Sequence, residues 1–270
     1  MAQRVIVVLA FVVMVVVNAL ANIIPINGLT TGEVANQFNV YFFPAAYVFS
    51  IWSLIYVLLF AFVIYQVLPR NKENNILSAL AWPFVATCLA NAIWIVCWHY
   101  KLIGLSLLLM VLLLLLLIII YRKLVQGMSS ASQAERFFIQ LPFSIYLAWI
   151  AVATIANVSV FLWNLDWDGF GIPGPVWSTI MMAVAAALGI LILMQKKDIA
   201  FSLVLIWALA GIAVRFPDIE IIVWSALTAV AVLVPQKAGR SALTKSVSQW
   251  TPVASADAAP AEVTLTPAEP

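Results

Sequence analysis

Long apolar runs, separated by short polar stretches, dominate the pattern of this chain. Eight such runs lie at residues 4–22, 45–68, 78–98, 102–121, 138–163, 175–195, 199–214 and 219–235. A helix needs about 20 apolar residues to cross the hydrocarbon core of a bilayer, and most of the runs meet that length. The pattern predicts an all-α, polytopic membrane helix bundle of about eight transmembrane helices. The last two runs are shorter, and a tight helical hairpin is the alternative for them.

Composition supports the membrane assignment. Apolar residues make up 65% of the chain and charged residues 9%, whereas soluble domains carry about 25% charged residues. The net charge is only +2 and the basic residues are scattered, so no nucleic-acid partner is expected. We expect the lipid bilayer to be the main partner and the inner cell membrane to be the location. The first run resembles a secretory signal, but its length favours a retained helix.

Basic residues fall on alternate connections between the runs. With eight spans and the N-terminus inside, eleven basic residues lie on one side and only two, Lys101 and Arg215, on the other. Basic residues favour the cytoplasmic side of a membrane, so both termini are expected to be cytoplasmic. From about residue 236 the chain is polar and rich in Pro and Ala. This composition predicts a disordered cytoplasmic tail over residues 236–270.

Aromatic and amide side chains recur at helical spacing in three of the runs. They are Phe49, Trp52, Tyr56 and Phe60 in the second run, Asn91, Trp94 and Trp98 in the third, and Tyr146, Trp149, Ala153 and Asn157 in the fifth. Residues three, four or seven apart share a helix face, and a mid-membrane amide must find a partner because lipid offers none. The three stripes are therefore predicted to face inward. They can act as packing and interhelical glue, or line a pocket for a flat apolar ligand beneath the loop 22–43.

Residues typical of catalysis or ion coupling are scarce. Apart from Arg4 and Glu220 at the ends of the first and last runs, the runs contain no Asp, Glu, Lys or Arg, which argues against an ion-coupled transporter. A metal site needs several convergent ligands, so the only histidine, His99, is interpreted as a hydrogen-bonded surface group. Cys88 and Cys97 fall on one helix, too far apart for a disulfide bond. We therefore expect no enzymatic activity and no obligatory cofactor.

A series of short motifs runs through the first part of the chain. It comprises Pro44, Tyr47, Val48, Phe49, Trp52 and Tyr56, then Asn91 and Trp94, then Tyr146, Leu147, Trp149, Ala153, Asn157 and Asn164. In order and spacing these motifs resemble the TspO/MBR family of tryptophan-rich sensory or translocator proteins. Three positions depart from the family pattern: Thr87 replaces its usual Gln, Ile145 its Pro, and Tyr47 its Trp.

The resemblance implies a five-helix bundle in residues 1–165, with three additional helices in residues 166–235. It implies binding of a tetrapyrrole such as a porphyrin or haem, for sensing or transport, and it leaves a homodimer open. The implied ligand-binding residues are Tyr47, Phe49, Trp52, Tyr56, Asn91, Trp94, Tyr146, Trp149 and Asn157. The alternatives are a permease for a small uncharged or lipophilic solute and a regulatory membrane protein that acts through a partner.

Overall fold

The computed structural model describes residues 2–127 and 131–234, and those two ranges contain helices but no strand. The α-helices are α1 (Ala2–Ile23), α2 (Thr31–Asn36), α3 (Ile51–Val67), α4 (Asn75–His99), α5 (Ile103–Gly127), α6 (Gln133–Glu135), α7 (Leu141–Asn164), α8 (Gly174–Lys196), α9 (Ile199–Arg215) and α10 (Glu220–Leu233). Each of the eight apolar runs forms one long helix, so the predicted all-α bundle is confirmed. The predicted tail lies outside the described residues.

Not all of the long helices have the length of a full membrane span. In the part of the chain that the structure describes, six helical segments are long and apolar enough to cross a bilayer: Ala2–Ile23, Ala46–Val67, Asn75–His99, Ile103–Gly127, Gln133–Asn164 and Gly174–Lys196. The apolar helices α9 and α10 have 17 and 14 residues. At a rise of 1.5 Å per residue, α10 is about 21 Å long, shorter than the roughly 30 Å hydrocarbon core. The chain is a multi-pass membrane protein, and the count of eight complete spans stays a prediction.

The helix α7 lies at the centre of the bundle. It packs against α3, α5 and α9, while α4 packs between α1 and α5, and α8, α9 and α10 pack on one another. Three fully buried rings, Phe62, Phe84 and Phe143, join α3, α4 and α7, with centroids 4.9–5.7 Å apart. These distances are typical of aromatic pairs in a packed core. The three helices that hold most of the predicted site residues therefore share a tightly packed core.

Polar contacts at the two ends of the bundle fix the helix ends. At the end we call the basic end, Arg4 donates to the carbonyl oxygen of Asn71 (2.6 Å) and the Asn74 side chain donates to Glu135 (3.0 Å). At the opposite end, the acidic end, the Arg215 guanidinium donates to the Asn36 side chain (3.1 Å). The acidic end is named for Glu33, Asp166, Asp168, Asp218 and Glu220 in its loops and helix ends.

A buried carboxylate, Asp198, lies at the basic end and was not singled out from the sequence. It is 6% exposed and directly precedes α9. One carboxylate oxygen accepts hydrogen bonds from the hydroxyls of Tyr121 (2.8 Å) and Ser144 (2.6 Å), and the other accepts from the backbone N–H of Phe201 (3.1 Å). These donors compensate its burial and cap α9. The absence of acidic residues from the interior of the apolar runs therefore did not exclude a carboxylate buried among the helices.

Candidate functional site

Six aromatic side chains meet near the centre of the bundle. We call Phe49, Trp52, Tyr56, Trp94, Tyr146 and Trp149 the aromatic cluster. Trp52 stacks on Tyr56, with centroids 5.6 Å apart and planes 18° apart. It also lies 6.0 Å from the rings of Trp94 and Tyr146 and meets Trp149 edge-on at 6.2 Å. Each such pair contributes about 0.5–1.5 kcal/mol beyond the burial of its surface, so the cluster is a strong packing unit.

Only three of the four residues of the predicted stripe on the second apolar run belong to the aromatic cluster. Phe49 belongs to the 3₁₀ turn Ala46–Ser50, and Trp52 and Tyr56 follow on α3. Phe60 is 55% exposed and lies 6.3 Å from Phe11 of α1. Successive steps of four residues rotate by about 40° each in a helix with 3.6 residues per turn, so Phe60 is displaced by about 80° from Trp52. Phe60 therefore contacts α1 instead of the aromatic cluster.

Tyr47 lies apart from the other predicted site residues. It is 47% exposed, and its ring meets Trp207 of α9 edge-on at 5.3 Å. The indole N–H of Trp207 donates to the carbonyl oxygen of Val48 (3.1 Å) and fixes the same turn against α9. Of the nine predicted ligand-binding residues, the structure brings eight together and places Tyr47 against α9.

Asn91 connects three helices. Its side chain is fully buried, accepts a hydrogen bond from the Asn18 amide (2.7 Å) and donates to the Tyr146 hydroxyl (3.0 Å). These bonds join α4 to α1 and α7. Asn18 was missed as a site residue, although it is the only polar residue between Val5 and Ala21. Because a mid-membrane amide needs a partner, that isolated Asn was the signal that could have identified it.

Asn157 has a similar structural role between α4, α5 and α7. Its side-chain oxygen accepts hydrogen bonds from the Ser106 hydroxyl (3.1 Å) and the Trp94 indole N–H (3.4 Å), and its amide donates to the carbonyl oxygen of Ala153 (2.9 Å). Both site amides therefore have protein partners, which is the interhelical role that polar residues commonly have in membrane bundles.

The aromatic cluster leaves little free volume within itself. The cavity bordered by Phe49, Trp52, Trp94 and Trp149 has a volume of about 30 Å³, far below the roughly 300–1,000 Å³ of typical ligand pockets. A second cavity of about 530 Å³ opens between α1 and α3. Phe49, Trp52 and Tyr56 border it, together with Asn18 and Asn22 of α1. The space for a ligand therefore lies beside the aromatic cluster, on its α1 side.

Two polar groups of the aromatic cluster are buried without a hydrogen-bond partner in the described part of the chain. They are the Tyr56 hydroxyl and the Trp149 indole N–H. A buried, unsatisfied polar group costs about 1–3 kcal/mol. Tyr56 borders the 530 Å³ cavity and Trp149 the 30 Å³ cavity. Of the two residues, only Tyr56 therefore borders a space large enough for a ligand.

The α1–α3 loop, residues 24–45, covers the acidic end above the aromatic cluster. His99 anchors it: Nδ1 lies 3.0 Å from the carbonyl oxygen of Ile26, and Nε2 lies 3.1 Å from the Thr31 hydroxyl. The indole N–H of Trp98 also donates to the carbonyl oxygen of Thr31 (3.4 Å). His99 is hydrogen-bonded as expected, but it is fully buried. The interpretation as a surface group was wrong because the loop folds over it.

The helix α2 inside this loop begins with a capping box. The backbone N–H and the hydroxyl of Thr30 donate to the Glu33 carboxylate at 2.7 and 2.8 Å, and the Glu33 backbone N–H donates to the Thr30 hydroxyl. The backbone bond and then the hydroxyl bond lower the pKa of Glu33 below its ordinary value of 4.5, because both favour the charged carboxylate. The loop over the site therefore includes one acid-sensitive turn.

The described residues contain no group of three or more His, Cys, Asp or Glu side chains placed to hold a metal ion. Cys88 and Cys97 are both buried free thiols. The polar groups that the site offers to a ligand are therefore hydroxyl, indole and amide groups.

A protein-family model matches most of the chain. A family model described as TSPO-like protein matches residues 4–236. The match covers most of the chain and continues through α9 and α10, beyond the first 165 residues that carry the motifs. No curated protein and no solved structure matches the chain. The division into residues 1–165 and 166–235 stays a prediction.

Proposed function

Because the chain belongs to the TSPO-like family, we propose that this membrane protein binds a flat, largely apolar ligand, a tetrapyrrole such as protoporphyrin, for sensing or transport. The observation that carries the proposal is the cavity of about 530 Å³ beside Trp52 and Tyr56. Its volume is within the usual range for small-molecule sites. The inner cell membrane is the proposed location.

The residues that border this cavity have complementary properties. Phe49 and Trp52 supply aromatic surface on which a planar ring system can stack. The unpaired Tyr56 hydroxyl supplies one hydrogen bond to the ligand. Asn18 and Asn22 supply a polar border on α1. This combination of mostly apolar walls and few polar groups suits a ligand with an extended ring system and polar edges.

The remaining predicted residues form a supporting layer in this proposal. Trp94, Tyr146 and Trp149 pack behind Trp52, and Asn91 and Asn157 hold the helices together. The proposed role of the two amides is therefore positional. The α1–α3 loop closes the acidic end of the site through Thr31, which borders the 530 Å³ cavity. Ligand exchange then depends on how firmly His99 holds that loop.

The test is a titration of the purified full chain in lipid nanodiscs with protoporphyrin IX, followed by quenching of tryptophan fluorescence. Ala19→Phe fills the cavity from α1 without removing an aromatic side chain, because Ala19 borders it. We expect this variant to weaken binding by at least about tenfold. Val16→Phe is the matched control, since Val16 is 48% exposed on the same helix and does not border the cavity.

Two further variants separate stacking from hydrogen bonding. Trp52→Ala removes the stacking surface and should weaken binding by about tenfold or more. Tyr56→Phe keeps the ring and removes only the unpaired hydroxyl, so it should weaken binding by about 2- to 10-fold. Unchanged affinity in both Ala19→Phe and Trp52→Ala, with normal folding, would show that the ligand does not occupy this cavity.

A further inference from the structure

A further cavity with an aromatic wall, separate from the 530 Å³ cavity, lies at the acidic end. It has a volume of about 400 Å³ and is bordered by residues 39–42 of the α1–α3 loop, by α7 and by the beginning of α8. We call it the tryptophan cavity because Trp163, Trp167 and Trp177 border it together with Tyr41. The aromatic cluster does not contribute to this cavity, so it is distinct from the proposed tetrapyrrole site.

The rings of the tryptophan cavity are held in place by the connection between α7 and α8. The indole N–H of Trp177 donates to the carbonyl oxygen of Gly169 (2.9 Å), and Trp167 lies 5.2 Å from Trp177 at 51°. A Cβ atom on Gly174 would lie 2.7 Å from the Tyr41 ring, so this glycine admits Tyr41 against the start of α8. Because the Trp177 indole N–H already has this partner, the part of Trp177 that remains available to a bound molecule is the face of its ring.

The charge around the tryptophan cavity is negative. Asp168 borders it, and none of the residues that line it is Lys, Arg or His. One Asp168 oxygen accepts from the backbone N–H of Phe170 (2.9 Å), and the other has no hydrogen-bond partner in the described part of the chain. The C-terminal end of α7 and the N-terminal end of α8 both border the cavity, and their opposite partial charges offset one another. Asp168, which is exposed, is therefore the one charged side chain among the described residues that line the cavity.

A second feature of the cavity points to an occupant. Ser178, one residue beyond Trp177, borders it and is 3% exposed, and its hydroxyl is buried with no hydrogen-bond partner in residues 2–127 or 131–234. Such a group is unfavourable unless a bound molecule or water satisfies it. Deeper along α7 and α8 the lining becomes apolar, at Ile155, Val158 and Met181. The cavity therefore presents aromatic rings and a carboxylate near the loops and apolar surface further inside.

From these features we infer that the tryptophan cavity binds an organic ammonium cation with an apolar body. Aromatic rings attract a cation placed over their faces, and cages of such rings are the usual recognition device for quaternary ammonium groups. Asp168 adds an opposite charge at the same place, and Ile155, Val158 and Met181 accommodate the apolar body. The ammonium group can belong to a free molecule or to the headgroup of a choline lipid.

The test is isothermal titration of the purified full chain, in uncharged maltoside micelles, with benzyltrimethylammonium. Benzyl alcohol and benzenesulfonate serve as the neutral and anionic counterparts, and empty micelles provide the baseline. We expect the cation to bind about tenfold or more tightly than the alcohol, and the sulfonate not to bind. Trp167→Ala should weaken cation binding by about 2- to 30-fold, the range of a cation–π contact.

Two variants make the test specific. Asp168→Asn removes the charge but keeps a side chain that can still accept the Phe170 N–H, because Asn and Asp are equally good caps. This variant should weaken binding of the cation by about 3- to 10-fold and leave the affinity for benzyl alcohol unchanged. Trp224→Ala is the control, since Trp224 is 67% exposed on α10 and lies outside the cavity. Thermal unfolding of each variant confirms that it is folded.

The outcomes separate the possible sources of the ligand. If added phosphatidylcholine displaces benzyltrimethylammonium and phosphatidylethanolamine does not, the occupant is a choline headgroup. If neither lipid displaces it, the occupant is a soluble cation. The inference is overturned if the cation binds no more tightly than benzyl alcohol, or if Trp167→Ala and Asp168→Asn both behave like Trp224→Ala. None of these results depends on protoporphyrin binding.

Discussion

The aromatic cluster and the tryptophan cavity use the same kind of side chain in opposite ways. In the aromatic cluster, Trp52 contacts four other rings and the space among these rings is about 30 Å³, while the cavity of about 530 Å³ lies beside the cluster on its α1 side. In the tryptophan cavity, the rings border about 400 Å³ beside a carboxylate. Aromatic density alone therefore does not distinguish packing from binding. The difference is whether neighbouring residues fill the space in front of the rings and whether charge lies next to them.

The largest expected effect tests the packing side of this comparison. Trp149 is 2% exposed inside the aromatic cluster, and Trp163 is 44% exposed beside the tryptophan cavity. Trp149→Ala should lower the free energy of unfolding by about 3–5 kcal/mol, because it leaves a cavity in a filled core. Trp163→Ala should lower the free energy of unfolding by only about 1 kcal/mol, which is the contribution of one aromatic pair. Unfolding in mixed maltoside and dodecyl sulfate micelles measures both, and equal losses would contradict the comparison.

The next effect tests the amides that hold the aromatic cluster together. Asn91→Leu removes hydrogen bonds to Asn18 and Tyr146, each worth about 0.6–1.7 kcal/mol in a membrane bundle. We expect the free energy of unfolding to fall by about 1–3 kcal/mol in the same assay. Asn164→Leu is the matched control, because Asn164 is exposed at the end of α7. A loss no larger than that of the control would show that these two hydrogen bonds do not stabilise the packing of the helices.

Much of the fold could be predicted from the pattern of apolar residues. In a bilayer the backbone must satisfy its own hydrogen bonds, so long apolar runs become helices, and every predicted run is one. Helical spacing also predicted that Trp52, Asn91 and Trp149 would face the bundle interior. These predictions succeeded because they depend on residues within one helix.

The features that the sequence did not reveal depend on contacts between distant residues. Asp198 is buried because Tyr121 and Ser144, 77 and 54 residues away, donate to it. Tyr47 turns away from the site because it lies in a 3₁₀ turn that packs on Trp207. The free volume on the α1 side of Trp52 is set by the separation of two helices, which no spacing within one run encodes. Whether aromatic rings pack against one another or bind a ligand therefore depends on how the helices are placed relative to one another.

The smallest expected effect tests the α1–α3 loop, which closes the aromatic cluster at the acidic end through α2 and borders the tryptophan cavity with residues 39–42. The pKa of Glu33 is lowered by hydrogen bonds from Thr30, so the charged carboxylate stabilises α2 above the ordinary value of 4.5. This stabilisation is lost as the pH falls through the lowered pKa. Protection of the α2 amides from hydrogen exchange, corrected for intrinsic rates, should therefore fall a few-fold between about pH 5.5 and 3.

Glu33→Gln provides the control for this prediction, because Gln at the same position completes a capping box without a titratable group. Its α2 protection should be lower than that of the parent chain near neutral pH, since a charged acceptor bonds more strongly, and it should change little over the acidic range. The two curves should meet at low pH, where Glu33 is protonated. Identical pH dependence in both chains would mean that α2 is held by its other contacts, which include those with His99, Trp98 and Arg215. In that case closure over the aromatic cluster would depend on those contacts, and acid would leave access to it unchanged.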